Sequence, residues 1–270
     1  MEFRTIVDIL KPDFEIDPCE PILFVGSCFA TEISEHFRQE GFPVVVNPNG
    51  TMYNPASVLH TVGRYEGKAR TVFITLGTNH VYRLKETGEI VDNCEKRPQT
   101  LFQEEELSVE ECIDYLSQAV DALRKNNPDI HVVFTVSPIR YRKYGYHESQ
   151  LSKSTLLLAV NQLIAHYPLL STSLYYFPAY EIVMDELRDY RFYASDMLHP
   201  SQQAIDYIWE RLVDTFFSKS AKLYLSEWRP LKQALAHKPF HPDSEEYRIH
   251  MDKTMLKVAE IRKKYPTFAL

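Results

Sequence analysis

A short apolar run that ends in a glycine constrains this chain more than any other feature of its sequence. Residues 22–25 are all hydrophobic, as expected for a parallel strand buried on both faces. Gly26 follows, and Phe29, Ile33 and Phe37 then recur at the spacing of one helix face. The pattern predicts a strand, a tight turn and an amphipathic helix, which together form the repeating unit of an α/β fold.

This alternation of strand-like and helical segments continues to about residue 218 and predicts a parallel sheet with helices on both faces. Strands are predicted at Ile22–Val25, Pro43–Val46, Thr71–Leu76, His131–Val136 and Leu174–Phe177. Helices are predicted at Phe29–Glu40, from a capping box at Ser108 and Glu111 to Leu123, at Ser152–His166, and from Pro200 to Phe216.

Three segments depart from this alternation. Residues 78–106 contain two alternating apolar stretches around a Thr-Gly dipeptide, which predicts a β-hairpin insertion. Residues 137–150 form a cationic and aromatic loop after the fourth strand. Residues 219–270 predict two helices separated by a proline-containing turn. The expected organisation is therefore a domain over residues 1–218 and a helical extension over residues 219–270.

Charge and length exclude some classes of partner. The 270-residue chain has a formal net charge of −7, which argues against a general binder of nucleic acid or anionic membranes. It has no apolar run near the roughly 18 residues of a membrane helix, and its first residues lack a signal-peptide core. We therefore expect a cytoplasmic protein, whose oligomeric state the sequence leaves open. The four cysteines lack metal-finger spacing, and no cofactor is predicted.

The turn after the first strand carries two candidate nucleophiles. Ser27 is placed to cap the helix, and Cys28 falls in its first turn. There, unpaired backbone N–H groups and the positive end of the helix dipole favour a thiolate and any oxyanion formed beside it. The position predicts acyl chemistry at Cys28, and a plain strand-to-helix turn is the structural alternative.

A carboxylate stands three residues before a histidine at Asp196 and His199, just ahead of the last core helix. At this spacing the carboxylate can accept from one imidazole nitrogen and leave the other free to act as a base. In the structural alternative, the histidine caps the helix and the carboxylate accepts from amides of the turn.

Loops after the second and third strands offer hydrogen-bond donors. Gly50 and Gly77 can each lend a backbone N–H, and the Asn79 side-chain amide is a neutral donor suited to a tetrahedral intermediate. Because the carboxyl ends of parallel strands meet at one edge of a sheet, we expect these loops to converge there with Cys28 and His199.

Together these segments resemble a known group of enzymes. G-S-C after strand one, a loop glycine after strand two, G-T-N after strand three and D-x-x-H-P before the last helix are similar to the SGNH/GDSL hydrolase superfamily. The pentapeptide G-S-C-F-A, followed by NPNGTMYNP, TVSPIR and DMLHPS, resembles the GSCFA family, a branch of that superfamily. The resemblance covers about residues 20–215.

The resemblance implies a three-layer α/β/α sandwich with a five-stranded parallel sheet. It also implies an esterase or deacylase activity on a small-molecule or carbohydrate ester. Cys28 falls where the superfamily has its nucleophilic serine, and Ser27 falls where it has an aspartate. Asp196 and His199 match the acid and the base. The oxyanion-hole positions are matched by Gly50, Gly77 and Asn79.

Other interpretations stay open. Ser27 is a second candidate nucleophile. The aspartate and the serine of the G-D-S motif are both replaced in this chain, by Ser27 and Cys28. The chain is therefore alternatively a catalytically inactive ligand-binding protein. In either case Arg140, Tyr141 and His147 are candidates to contact an anionic or carbohydrate ligand. A third interpretation is a metal site, which residue spacing does not support, drawn from His80, Cys94, His147 and Glu148.

Overall fold

The computed structural model describes residues 4–92, 94, 97–166, 173–241 and 243–269. Its central strands are β1 (Ile22–Gly26), β2 (Val44–Val46), β3 (Thr71–Leu76), β7 (His131–Val136) and β8 (Leu174–Tyr176). All five are parallel and pair in the order β2-β1-β3-β7-β8. The strand order reverses at β1 and β3, and the crevice beyond such a reversal is where open α/β sheets bind ligands.

Alternating side chains of β1 build a core on each face of the sheet. Phe24 packs on one face with helices α1 (Cys28–Gln39) and α6 (Gln202–Phe216). Val25 packs on the other face with α2 (Pro55–Gly63), α3 (Val109–Asn126) and α4 (Tyr146–His166). The expected three-layer α/β/α sandwich with five parallel strands is confirmed.

The predicted insertion between β3 and α3 is confirmed as antiparallel structure. Strand β4 (His80–Leu84) pairs with β5 (Ile90–Val91) and, on its other side, with β6 (Phe102–Glu106). The sequence pattern does not predict β6 because four of its five residues are polar. Only Phe102 of that strand is buried.

One helix and two helix boundaries differ from expectation. The patterns above do not predict α2, although Asn54 caps it by accepting from the Ser57 N–H and Pro55 takes its first position. Helix α4 begins at Tyr146, ahead of the expected Ser152. Helix α6 begins after Pro200, because Ser201 is its N-cap. A short α5 (Ala179–Glu181) continues as a π-type turn over Ile182–Glu186.

Two C-terminal helices, α7 (Lys219–Ala236) and α8 (Glu245–Lys264), confirm the predicted helical pair. The Trp228 indole N–H donates to the Gln39 carbonyl at 3.0 Å, so α7 packs at the end of α1 that lies away from Cys28. Within the described ranges, no helix has both the length and the apolar content to cross a membrane.

Candidate active site

The turn that links β1 to α1 depends on Gly26. Its φ is +139°, and a Cβ atom there would lie 2.1 Å from the Thr75 carbonyl oxygen of the neighbouring β3. Glycine tolerates both the positive φ and the close approach of the neighbouring strand, because it has no Cβ atom. The Gly26 N–H donates to Asn47 Oδ1 at 2.8 Å. The chain therefore leaves the sheet and enters α1 directly, which fixes the position of Cys28.

Ser27 faces the sheet and not the crevice. The residue is 2% exposed, and its hydroxyl oxygen lies 3.0 Å from Thr75 Oγ1. Its backbone N–H also donates to Thr75. Ser27 is the N-cap residue of α1, as expected, but its hydroxyl is engaged by Thr75 and accepts from no N–H of the helix.

Cys28 is the first residue of α1, and it is half-buried. Its Sγ lies 3.6 Å from the hydroxyl of Tyr53, a residue that the sequence patterns did not indicate. Burial, and then the contact with Cys28, raises the pKa of Tyr53 to about 12. The phenol therefore stays protonated at neutral pH and can donate to a thiolate.

Asp196 holds His199 through three hydrogen bonds within one turn. Its Oδ1 accepts from the N–H groups of Leu198 at 2.9 Å and His199 at 3.0 Å, and its Oδ2 lies 2.6 Å from His199 Nδ1. The two N–H groups, His199 first, and then the imidazole lower the pKa of Asp196 to about 2. The ionised carboxylate fixes Nδ1–H as a donor and leaves Nε2 for a thiol or substrate.

Arg140 joins the cationic loop after β7 to this turn. Its N–H donates to the Leu198 carbonyl and its Nη1 to the Met197 carbonyl, both at 3.1 Å. Its guanidinium carbon lies 4.5 Å from the ring centroid of Tyr146 and 4.9 Å from that of Tyr193. Met197 has a φ of +60°, so Arg140 supports a strained part of the turn that carries the histidine.

Tyr141 closes the site on the side of Tyr53. The two rings meet edge to face, with centroids 5.8 Å apart. Burial raises the pKa of Tyr141, and its acidic neighbours Tyr53, Cys28 and Glu104 act in the same direction. Tyr141 also stacks on Tyr144, which stacks on His80 of the insertion. The structure thus brings Cys28, Tyr53 and Tyr141 into one cluster.

Glu32 interacts with the turn at residues 194–199, called the histidine turn below, and lies on the same helix as Cys28. It follows Cys28 by four residues on α1, and its buried Oε2 has no hydrogen-bond partner among the described residues. Burial raises the pKa of Glu32 to about 6, while the charge of His199 acts in the opposite direction. The turn therefore lies along the first half of α1. In the described part of the chain, no hydrogen bond joins Cys28 Sγ to His199 directly.

The backbone donors expected for an oxyanion hole serve the fold in this structure. The Gly50 N–H donates to the Asn47 carbonyl, and the Gly77 N–H donates to the Tyr53 carbonyl, both at 2.8 Å. Each N–H is therefore occupied. The Gly50 acceptor lies three residues back in the same turn, whereas the Gly77 acceptor lies in another loop and has no signal in the local sequence.

The Asn79 side-chain amide is likewise engaged within the fold. Its side-chain amide donates to the Leu107 carbonyl at 2.7 Å, and the residue is buried. The N–H groups of Cys28 and Phe29, at the first two positions of α1, have no acceptor within a regular helix. They are the donors best placed beside the thiol.

His147 follows Tyr146, whose ring contacts Arg140. It is exposed in the first turn of α4, and no hydrogen bond among the described residues involves its side chain. Across the described ranges, no group of three or more His, Cys, Asp and Glu side chains is arranged to hold a metal ion.

A cavity of about 370 Å³ opens beside Arg140. Its wall includes residues of the π-type turn and of the segment 187–193, which precedes the turn that carries His199. Aromatic and charged side chains dominate its wall, among them Tyr146, Tyr190, Tyr193, Asp185, Arg188 and Asp189.

Fold and site together define a three-layer α/β/α protein with a thiol at the turn from its first strand to its first helix. The chain belongs to the GSCFA family, whose sequence profile matches residues 21–69 and 59–212. A second profile, GSCFA domain protein, C-terminal domain, matches residues 228–270. None of the curated protein sequences matches the chain.

Solved structures with a similar fold are remote in sequence. An acetyl esterase variant with an acetate ion is 12% identical, with a TM-score of 0.45 over 80% of this chain and 100% of that one. A carbohydrate esterase family 3 protein from Talaromyces cellulolyticus is 11% identical, with a TM-score of 0.44 over 77% and 99%. A GDSL-like lipase from Bacteroides thetaiotaomicron is 15% identical, with a TM-score of 0.45 over 72% and 86%.

Proposed function

We propose that this protein is a thiol-dependent ester hydrolase or acyltransferase, with Cys28 as the nucleophile and His199, backed by Asp196, as the base. The observation that carries the proposal is the half-buried thiol at the start of α1, 3.6 Å from a protonated tyrosine hydroxyl. The buried hydroxyl of Ser27, bonded to Thr75, favours Cys28 over Ser27.

In the proposed reaction, His199 takes the thiol proton and the Cys28 sulfur forms a bond to the ester carbonyl carbon. The carbonyl electrons move to oxygen, beside the N–H groups of Cys28 and Phe29. When the intermediate collapses, the C–O bond breaks and the departing alkoxide takes the proton from His199. The same imidazole then deprotonates water, which attacks the thioester and releases the acid and the thiol. No cofactor is needed.

We place the alcohol part of the substrate in the cavity beside Arg140. The exposed ring of Tyr190 offers an apolar face, and Asp185 and Arg188 offer an acceptor and donors for hydroxyl groups. An acylated carbohydrate has both kinds of surface. Arg140, which borders the cavity and holds the histidine turn, is the residue that would link binding to catalysis.

Single-turnover acylation by an activated acetate ester tests the assignment. Cys28→Ala is expected to abolish acylation, and His199→Ala to slow it by about 10²–10⁴-fold. Ser27→Ala is the matched control, because it removes a hydroxyl one residue away and is expected to retain acylation. Full activity in Cys28→Ala with none in Ser27→Ala would contradict the choice of nucleophile.

A ligand-binding protein without turnover is the second candidate. Two observations favour it: no hydrogen bond joins Cys28 to His199 in the described residues, and the three expected oxyanion donors have internal acceptors. Iodoacetamide labelling separates the two candidates. Burial raises the pKa of Cys19 to about 11 and that of Cys112 to about 12, so both should react slowly. Labelling of Cys28 no faster than these two would favour the binding protein.

A further inference from the structure

Lys153 is a buried amine that the proposed reaction does not use. It lies on α4 and is 2% exposed. Its Nζ donates to the Gly77 carbonyl at 2.7 Å. Burial lowers its pKa to about 7. Burying a lysine amine this deeply costs free energy, because the amine loses its contact with water. The hydrogen bond to Gly77 offsets part of this cost, and an apolar side chain at this position could not make it.

Gly77 and Thr78, called the Gly77 segment below, connect this amine to the candidate nucleophile through hydrogen bonds to Tyr53. The N–H groups of Gly77 and Thr78 both donate to the Tyr53 carbonyl, at 2.8 and 2.9 Å. A Cβ atom at Gly77 would lie 3.2 Å from that carbonyl oxygen and 3.3 Å from Tyr53 Cδ1. The segment therefore fixes both the backbone and the ring of Tyr53, whose hydroxyl reaches Cys28.

We propose that Lys153 is a positioning residue for the Cys28 thiol. By holding the Gly77 carbonyl, it orients the two N–H groups that bind Tyr53 and keeps the phenol against the sulfur. The inference rests on the proposed role of Cys28 as a reactive thiol. Lys153 acts through Gly77 and Tyr53, and it is not expected to touch the substrate.

The test is the rate of Cys28 alkylation by iodoacetamide as a function of pH, measured on the full chain. Lys153→Met keeps the length of the side chain but removes the donor, and Tyr53→Phe removes the hydroxyl. We expect each to slow alkylation at pH 7 by about three- to tenfold, as for loss of a hydrogen bond to an anion. Because both changes break the same chain of contacts, the double variant should be no slower than either single variant.

Val160→Ala controls for loss of stability. Val160 is buried on α4 two helical turns after Lys153, and its side chain has no hydrogen-bonding group, so its replacement should lower the melting temperature and leave the pH profile unchanged. If Lys153→Met does not fold, Gly77→Ala presses a Cβ atom against Tyr53 and should give the same slowing.

Wild-type alkylation in Lys153→Met, or additive slowing in the double variant, would overturn the proposal. The readout does not require turnover. If the protein does not react with the activated acetate ester but shows the expected alkylation pattern, the proposed hydrolase activity is refuted and the positioning role of Lys153 is retained.

Discussion

The two turns that meet at the candidate site are held by different means. The turn from Gly26 to Cys28 is buried against the sheet, where Thr75 binds Ser27 through both backbone and side chain. The turn at residues 194–199 is exposed and is held by Asp196 and Arg140. The candidate nucleophile is thus placed by packing against the sheet. The candidate base is placed by hydrogen bonds, from Asp196 within its own turn and from Arg140 of the loop after β7. Substitutions in the first turn should reduce stability, and those in the second should reduce activity.

The largest loss of stability is expected for Gly26→Ala. The new methyl group would overlap the Thr75 carbonyl, and the φ of +139° disfavours any side chain. We expect the free energy of unfolding to fall by about 3 kcal/mol or more, measured by urea denaturation.

Gly88→Ala is the matched control for this change. Gly88 also has a positive φ, +74°, but a Cβ atom there would have nothing within 4 Å. Its replacement should lower the free energy of unfolding by about 1 kcal/mol. Equal losses in the two variants would show that the buried turn is not specially constrained.

Asp196→Asn should leave the melting temperature nearly unchanged and lower the acylation rate by about 10²–10³-fold. The amide can still accept from the turn, but it no longer fixes the tautomer of His199. Asp206→Asn is the control, because Asp206 pairs with His36 at 3.3 Å outside the site. An equal loss of activity in both variants would contradict a specific role for the turn.

The low pKa of Asp196 determines the pH range of this effect. A carboxyl whose folded pKa is depressed keeps its stabilising contacts above its unfolded pKa, near 3.9, and loses them as the pH falls through about 2. The carboxyl carbon of Asp196 should therefore show no NMR titration of its own from pH 5 to pH 8, so the carboxylate holds the histidine turn throughout this range. A titration of this carbon above pH 5 would contradict an ionised carboxylate.

The smallest effect is expected at Glu32, between the two turns. Its pKa is raised from about 4.5 to about 6, so the native state is stabilised by the proton at low pH and loses that stability as the pH rises through about 6. Glu32→Gln should match wild type at pH 4. At pH 8 it should be more stable by about 1 kcal/mol, allowing for solvent screening, in urea denaturation.

Glu35→Gln, on the exposed side of α1 beside Arg38, is the control for Glu32. It should change the free energy of unfolding by about 0.5 kcal/mol or less at both pH values. A pH-independent effect of Glu32→Gln would show that the carboxyl is well solvated.

The fold could be predicted largely because its signals are local. Continuous apolar runs mark the five parallel strands, and the capping box at Ser108 marks the start of α3. Helix α2 also carries local signals in Asn54 and Pro55, but it follows a turn-rich stretch that predicts a loop. Strand β6 has almost no apolar pattern, because it gains its partners only when β4 is in place.

The candidate site could be predicted only in part. The positions of Cys28, Asp196 and His199 follow from strand ends and short spacings. The directions of hydrogen-bond donors do not, since the Gly77 N–H and the Asn79 amide find acceptors 24 and 28 residues away in sequence. Tyr53 has no local signal, and its relation to the thiol arises from the folded loops.

The central claim is that Cys28 is the group that becomes acylated. The most direct measurement is tandem mass spectrometry of the full chain after reaction with an activated acetate ester and rapid acid quench. We expect an acetyl thioester on Cys28 that decays as acetate is released. In His199→Ala this thioester should accumulate if deacylation slows more than acylation. An acetyl group on Ser27, or acetate release by Cys28→Ala at the wild-type rate, would contradict this claim.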